Sequence, residues 1–201
     1  EAGSVYSLDE LEAVDRTAKE RGLRLHMDGA RFFNACVSLE AAPAELTWRR
    51  GVDVLCLSGT KNGLGVGEAV VFFDRDLSRD FAYRCKQAGQ LVSKMRFLSA
   101  PWVGLLENRV WERNARHANA MAARLRGGLE KVPDVSFTAP TQANGVFAQL
   151  PEPVVRALKE QGWAFYTFIG RGFARFLCSW NTREEEVDAL VDAVRAACER
   201  G

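Results

Sequence analysis

An α/β layered domain followed by a smaller α+β domain is the fold class that this sequence predicts, on three observations. Strand-like and helix-like segments alternate from Ser7 to Phe73. Within them, Val52 to Leu57 is an apolar run broken only by Asp53, as suits a strand buried on both faces of a largely parallel sheet. Beyond Pro133, short apolar segments again alternate with helical ones.

Taken in order, Ser7-Leu8-Asp9-Glu10 has the form of a capping box, so a helix starts there with Leu8, Leu11, Val14 and Ala18 on one face. Gly22 offers a left-handed stop. Leu23 to Met27 reads as a strand that Asp28 ends, and helices are expected near Arg31 to Ser38 and Ala44 to Arg50. After the Val52 to Leu57 strand, four glycines between Ser58 and Gly67 mark a loop, and Ala69 to Phe73 forms the next strand. Asp76 to Gly128 reads as helical, with Pro101 near the start of a long segment. Then come strands at Val135 to Phe137, Val146 to Leu150 and Ala174 to Trp180, and helices near Val154 to Gln161 and Arg183 to Arg200. A second capping box is expected from Thr182 to Glu185.

Composition excludes several functions. The 201 residues are 47% hydrophobic and 26% charged, enough for a sizeable core and outside the disordered range. With 27 Lys and Arg against 26 Asp and Glu, no basic footprint exists for a nucleic acid. No apolar run approaches the roughly 18 residues a membrane-spanning helix needs. Five cysteines at wide spacings, with no CxxC pair, argue against a disulfide framework and a zinc site, and a cytoplasmic location is expected. Two histidines in the chain argue against a metal centre built on imidazoles. The opening Glu1-Ala2-Gly3, without methionine and directly before a strong helix start, reads as the continuation of upstream sequence.

Chemistry therefore rests on Lys, Arg and Asp. Lys61 lies just past a buried strand in a Gly-rich loop, where backbone amides can approach a ligand. It is read as an imine-forming amine, a phosphate contact or a solvated charge, and GxxxxGK[ST] is absent. Asp28 should emerge on the same sheet edge, one βα unit away. A pyridoxal phosphate enzyme needs such a pair: the amine holds the cofactor aldehyde, and the carboxylate keeps the pyridine nitrogen protonated. The plainer alternative is an ion pair of Asp28 with Arg31 at a helix start, worth about 0 to 1 kcal/mol if exposed. Arg175 either faces a cleft, where it can grip a carboxylate bidentately, or faces water. Arg96 is a candidate phosphate contact or part of a solvated helix face, and His26 and His117 are read as a strand residue and a helix-surface residue.

Three stretches, Glu1-Ala2-Gly3-Ser4-Val5-Tyr6-Ser7-Leu8-Asp9-Glu10-Leu11, His26-Met27-Asp28-Gly29-Ala30-Arg31 and Gly59-Thr60-Lys61-Asn62-Gly63, strongly resemble the low-specificity L-threonine aldolases. These are pyridoxal 5'-phosphate enzymes of the aspartate-aminotransferase fold type, and the match extends through Lys94-Met95-Arg96 to Arg175. The resemblance implies the remainder of a fold-type I large domain over residues 1–110, lacking its N-terminal part, and a small α+β domain over 111–201. It implies cleavage of threonine, allo-threonine or a related β-hydroxy-α-amino acid to glycine and an aldehyde. By the same resemblance Lys61 forms the imine with the cofactor, Asp28 pairs with the ring nitrogen and Arg31 sits beside the phenolic oxygen. Arg96 would reach the cofactor phosphate of a neighbouring subunit in a homodimer or homotetramer, and Arg175 would bind the substrate carboxylate. Family members carry a preceding segment with a phosphate-binding turn and a ring-stacking histidine, which the 201 residues do not include, so a C-terminal portion is expected. Aminotransfer or β-elimination on the same fold, or a catalytically inactive fragment retaining dimer contacts, are the alternatives.

Overall fold

The computed structural model describes residues 2–167 and 173–200. It divides into two units, Tyr6–Arg113 and a second one made of Glu1–Val5 with Asn114–Gly201. The division falls inside a helix.

In the first unit, α1 (Leu8–Glu20) starts at the expected capping box: Ser7 Oγ accepts the Glu10 amide at 3.1 Å and the Glu10 carboxylate accepts the Ser7 amide at 2.7 Å. Gly22, at φ +62°, follows its C-terminal end. Strand β1 is His26–Gly29, later than the Leu23 to Met27 expected, so Asp28 lies within the strand rather than after it. Asp53 explains the shift. Its carboxylate accepts the Leu25 amide at 2.7 Å and Arg24 Nη1 at 3.2 Å, so the side chain that breaks the apolar run plugs the start of the ladder. Helix α2 (Phe32–Ser38) follows β1. The helix expected from Ala44 to Arg50 is instead two 3₁₀ turns, Pro43–Leu46 and Trp48–Arg50. They are separated at Thr47, whose hydroxyl donates to the Pro43 carbonyl at 2.8 Å and competes with a continuous helix.

Strand β2 (Val54–Ser58) pairs parallel with β1, and β3 (Glu68–Phe72) pairs antiparallel with β2, giving the order β1-β2-β3. The described sheet is thus mixed, not largely parallel. A parallel return needs a crossover of about a dozen residues or more, and residues 59–67 are too few. They reverse the chain instead, with Gly63 at φ +107° and Gly67 at φ +121°, where a side chain would be strained. The rest of this unit is a 3₁₀ turn at Arg75–Ser78, then α3 (Phe81–Gln87), α4 (Arg96–Glu107, with Pro101 inside it) and the start of α5 (Val110–Leu129).

The second unit holds an antiparallel sheet of β4 (Ser136–Phe137), β5 (Gly145–Gln149) and β6 (Phe173–Leu177), with α6 (Glu152–Glu160) and α7 (Glu184–Glu199). Its core joins Leu125 and Leu129 of α5, Val146 and Ala148 of β5, Leu158 of α6 and Val194 of α7. Gly3 zips the N-terminal residues onto this unit: its carbonyl accepts the Gln142 and Ala143 amides, and a Cβ there would lie 2.6 Å from the Gly145 oxygen. The second expected capping box is reduced to its reverse half, one residue later than expected. Thr182 Oγ1 is occupied by the Ser179 amide at 2.8 Å, so α7 starts from Arg183, whose amide donates to Glu186 at 2.9 Å.

Candidate active site

Because β1 and β2 are parallel, their carboxyl ends share one edge, and the residues with candidate chemistry follow from that edge. Asp28 is opposite Cys56 in the ladder, so the two share a face, and His26 joins them with Nε2 at 3.3 Å from Cys56 Sγ. The Asp28 side chain is exposed, and its Oδ1 accepts the Ala30 amide at 3.0 Å, an Asx turn that leads to Arg31 at the N-cap of α2. Gly29 between them has a packing reason: a Cβ would lie 2.4 Å from Leu55 Cδ1 and 2.6 Å from the Cys56 oxygen. The Asp-Gly-Ala-Arg stretch is therefore a close strand contact, a side-chain-capped turn and a helix start in succession.

Lys61 occupies the middle of a 3₁₀ turn, Thr60–Asn62, directly beyond β2, inside what the sequence presents as loop. Its neighbours hold the turn on two sides. Asn62 is buried and its side-chain amide donates to the Trp111 carbonyl at 3.1 Å, while the Trp111 ring stacks on Phe33 of α2 at 5.1 Å. On the other side the Lys61 amide donates to Ser58 Oγ at 3.3 Å. The Ser58 and Thr60 hydroxyls both reach Glu68 Oε1, at 3.0 and 2.6 Å. Gly59 starts the turn under tight cover: a Cβ there would lie 2.6 Å from Leu64 Cδ1 and 2.8 Å from Trp102 Cζ2. The Lys61 side chain itself is exposed, and among the described residues its ammonium makes no hydrogen bond or ion pair.

A rigidly rooted backbone carrying a free primary amine, with an exposed carboxylate on the same sheet edge, is a donor set that fits pyridoxal phosphate. It gives an aldehyde-binding amine and an acceptor for a pyridinium proton. Two of the five thiols are poor nucleophiles, since burial pushes the Cys36 thiol up to about 12 and the Cys178 thiol up to about 11. Among the described residues no group of three His, Cys, Asp or Glu could hold a metal.

The remaining expected residues distribute as follows. Arg31 is half-buried at the head of α2, in the same turn as Asp28. Arg96 is the first residue of α4, exposed, with its guanidinium 5.2 Å from the Phe97 ring, and α4 touches the Lys61 loop through Trp102. The structure thus brings Asp28, Arg31 and Lys61 to one edge, with the helix of Arg96 against the loop. Arg175 belongs to the second unit, in β6, half-buried and 6.0 Å from the Phe147 ring, in an open cleft with Lys159, Trp163 and Tyr166. His117 is not a plain surface residue: it is half-buried with Nε2 at 2.6 Å from the Thr182 carbonyl, fastening α5 to the start of α7. Glu68 was not legible beforehand, because only the antiparallel return of β3 sets it opposite Ser58.

Fold and site together define the class: part of the large domain of the fold-type I pyridoxal phosphate enzymes, with a following α+β unit. A solved threonine aldolase from Leishmania major superposes with a TM-score of 0.88 at 28% identity, over 98% of this chain and 58% of that one. The pattern of the beta-eliminating lyase family matches residues 1–152, and the chain belongs to that family. It is 60% identical over 196 residues to the low specificity L-threonine aldolase of Pseudomonas sp. (strain NCIMB 10558), covering 98% of this chain and 57% of that protein. The protein of that name from Pseudomonas aeruginosa is likewise 60% identical, over 97% of this chain and 56% of its own length. The chain thus spans just over half the length of these curated relatives.

Proposed function

We propose that the protein is a pyridoxal phosphate-dependent carbon–carbon lyase that splits L-threonine, L-allo-threonine or a related β-hydroxy-α-amino acid into glycine and an aldehyde. The observation that carries this reading is the free Lys61 amine on a fixed turn, sharing the carboxyl edge of β1 and β2 with Asp28. The 60% identity to proteins named as threonine aldolases supports the choice of reaction. When bound, pyridoxal phosphate supplies an aldehyde for an amine and a ring that accepts electrons.

The roles of this chain's residues follow from their chemistry. Lys61 would hold the cofactor through its primary amine, the group that can bond to an aldehyde. Asp28 would hold a proton at the ring nitrogen through the carboxylate oxygen that the Ala30 amide leaves open. Arg31 would supply a positive charge to the phenolic oxygen, and Arg175 would grip the substrate carboxylate. Arg96 would take the cofactor phosphate of a second copy in a homodimer or homotetramer. Exposed Phe97, Val103 and Leu106 on α4 supply an apolar surface for such an assembly. Among the described residues no helix is long and apolar enough to cross a membrane, and five free thiols support a cytoplasmic location.

The test is a product assay on the protein at its full natural length with L-threonine and pyridoxal phosphate. Equimolar glycine and acetaldehyde are expected. Release of ammonia with a keto acid would assign β-elimination instead, and a requirement for an amino acceptor would assign aminotransfer. For the shared site, Arg96→Ala and Lys61→Ala subunits, each inactive alone, should regain activity when mixed, because one site of each hybrid dimer then receives both native residues. Hybrids that native mass spectrometry confirms but that remain silent would remove Arg96 from that role.

A further inference from the structure

We infer that Glu68 is the positioning residue for Lys61, acting through the hydroxyls of Ser58 and Thr60. This rests on the reading of Lys61 as the cofactor-binding amine. Glu68 is the first residue of β3 and faces Ser58, the last of β2, across the antiparallel ladder. Its Oε1 receives Thr60 Oγ1 at 2.6 Å and Ser58 Oγ at 3.0 Å. Each hydroxyl has one proton, so the carboxylate, which can only accept, settles the direction of both bonds. Ser58 Oγ is then left as an acceptor, and the Lys61 amide donates to it at 3.3 Å. The two hydroxyls are themselves 3.1 Å apart, a contact neither needs to donate to once both point at Glu68.

The consequence is a chain of bonds from a fixed strand to the backbone of the lysine. A 3₁₀ turn of three residues has little cohesion of its own. Asn62 fastens its far end to Trp111, and the Glu68 clasp fastens its near end. Without the clasp, Thr60 loses its partner and Ser58 Oγ, which receives the Lys61 amide, is free to rotate, so the amine samples more positions relative to the sheet edge. The carboxylate touches neither cofactor nor substrate in this account.

The experiment compares Glu68→Ala with Glu68→Gln in the full-length protein. The glutamine keeps Oε1 as acceptor for both hydroxyls. Two readouts are used: hydrogen exchange at the Lys61 amide without cofactor, and borohydride-fixed pyridoxyl label at Lys61 relative to the surface residue Lys94. Glu68→Ala should speed exchange at Lys61 about tenfold and lower the Lys61-to-Lys94 label ratio by a similar factor, the scale of one charge-assisted hydrogen bond. Glu68→Gln should recover most of both. A general loss of stability would accelerate exchange throughout and would not change the label ratio selectively. Should Glu68→Ala fail to fold, Thr60→Val removes the shorter of the two bonds to Glu68 and leaves Ser58 Oγ in place for the Lys61 amide. Unchanged exchange at Lys61 in either set overturns the inference. A wild-type protein that takes no label at Lys61 overturns the functional reading instead, with the exchange result still deciding on the clasp.

Discussion

Lys61→Ala in the full-length protein is expected to lose covalent capture of pyridoxal phosphate and with it turnover, by about 10³-fold or more, the scale of removing a covalent catalyst. The fold should survive. The side chain is exposed and the turn is held through the Lys61 backbone amide, which alanine retains. A surface truncation of this kind changes stability by about 0.5 kcal/mol or less, so the melting temperature should move by only about 2 °C. Borohydride reduction and peptide mapping provide the check, with the label on Lys61 in the native protein and absent from the variant. A label found instead on Lys86 or Lys94 of the native protein would show that the amine has been misassigned.

Asp28→Asn should separate binding from turnover. Asparagine keeps an oxygen for the Ala30 amide, so the Asx turn and the start of α2 persist. It lacks the negative charge that holds a proton at the ring nitrogen, and kcat should fall by about 10²- to 10³-fold, as for loss of a well-placed proton-transfer partner. Label at Lys61 should remain within about twofold of the native level, since capture of the aldehyde does not need the ring proton. A kcat close to native in this variant would remove Asp28 from the role.

The places of these two candidate residues in the fold were readable because their signals are local. Asp28 ends a short apolar-polar stretch before a helix start, and Lys61 follows a buried run within a glycine cluster. The Ser7 capping box is equally local, its partners three positions apart, and it is present as expected. Elements whose definition depends on remote partners were read less well. The helix from Ala44 to Arg50 gave way to two turns once Thr47 found the Pro43 carbonyl. The cap of α7 moved by one residue because Ser179 took the Thr182 hydroxyl. His117, placed on a helix surface by its neighbours in sequence, is held by a carbonyl far along the chain.

The sequence alone placed a candidate amine after a buried strand and a candidate carboxylate near a strand end, by residue type and short-range pattern, and the family resemblance supplied their proposed roles. The tertiary structure decided how they are held. Strand direction is a long-range choice, and the reversal of residues 59–67 rather than a crossover is what sets Glu68 against Ser58 and Thr60. The covering of Gly59 by Trp102 and the docking of Asn62 on Trp111 belong to the same order of information. Each joins residues more than forty positions apart, at distances that packing alone defines.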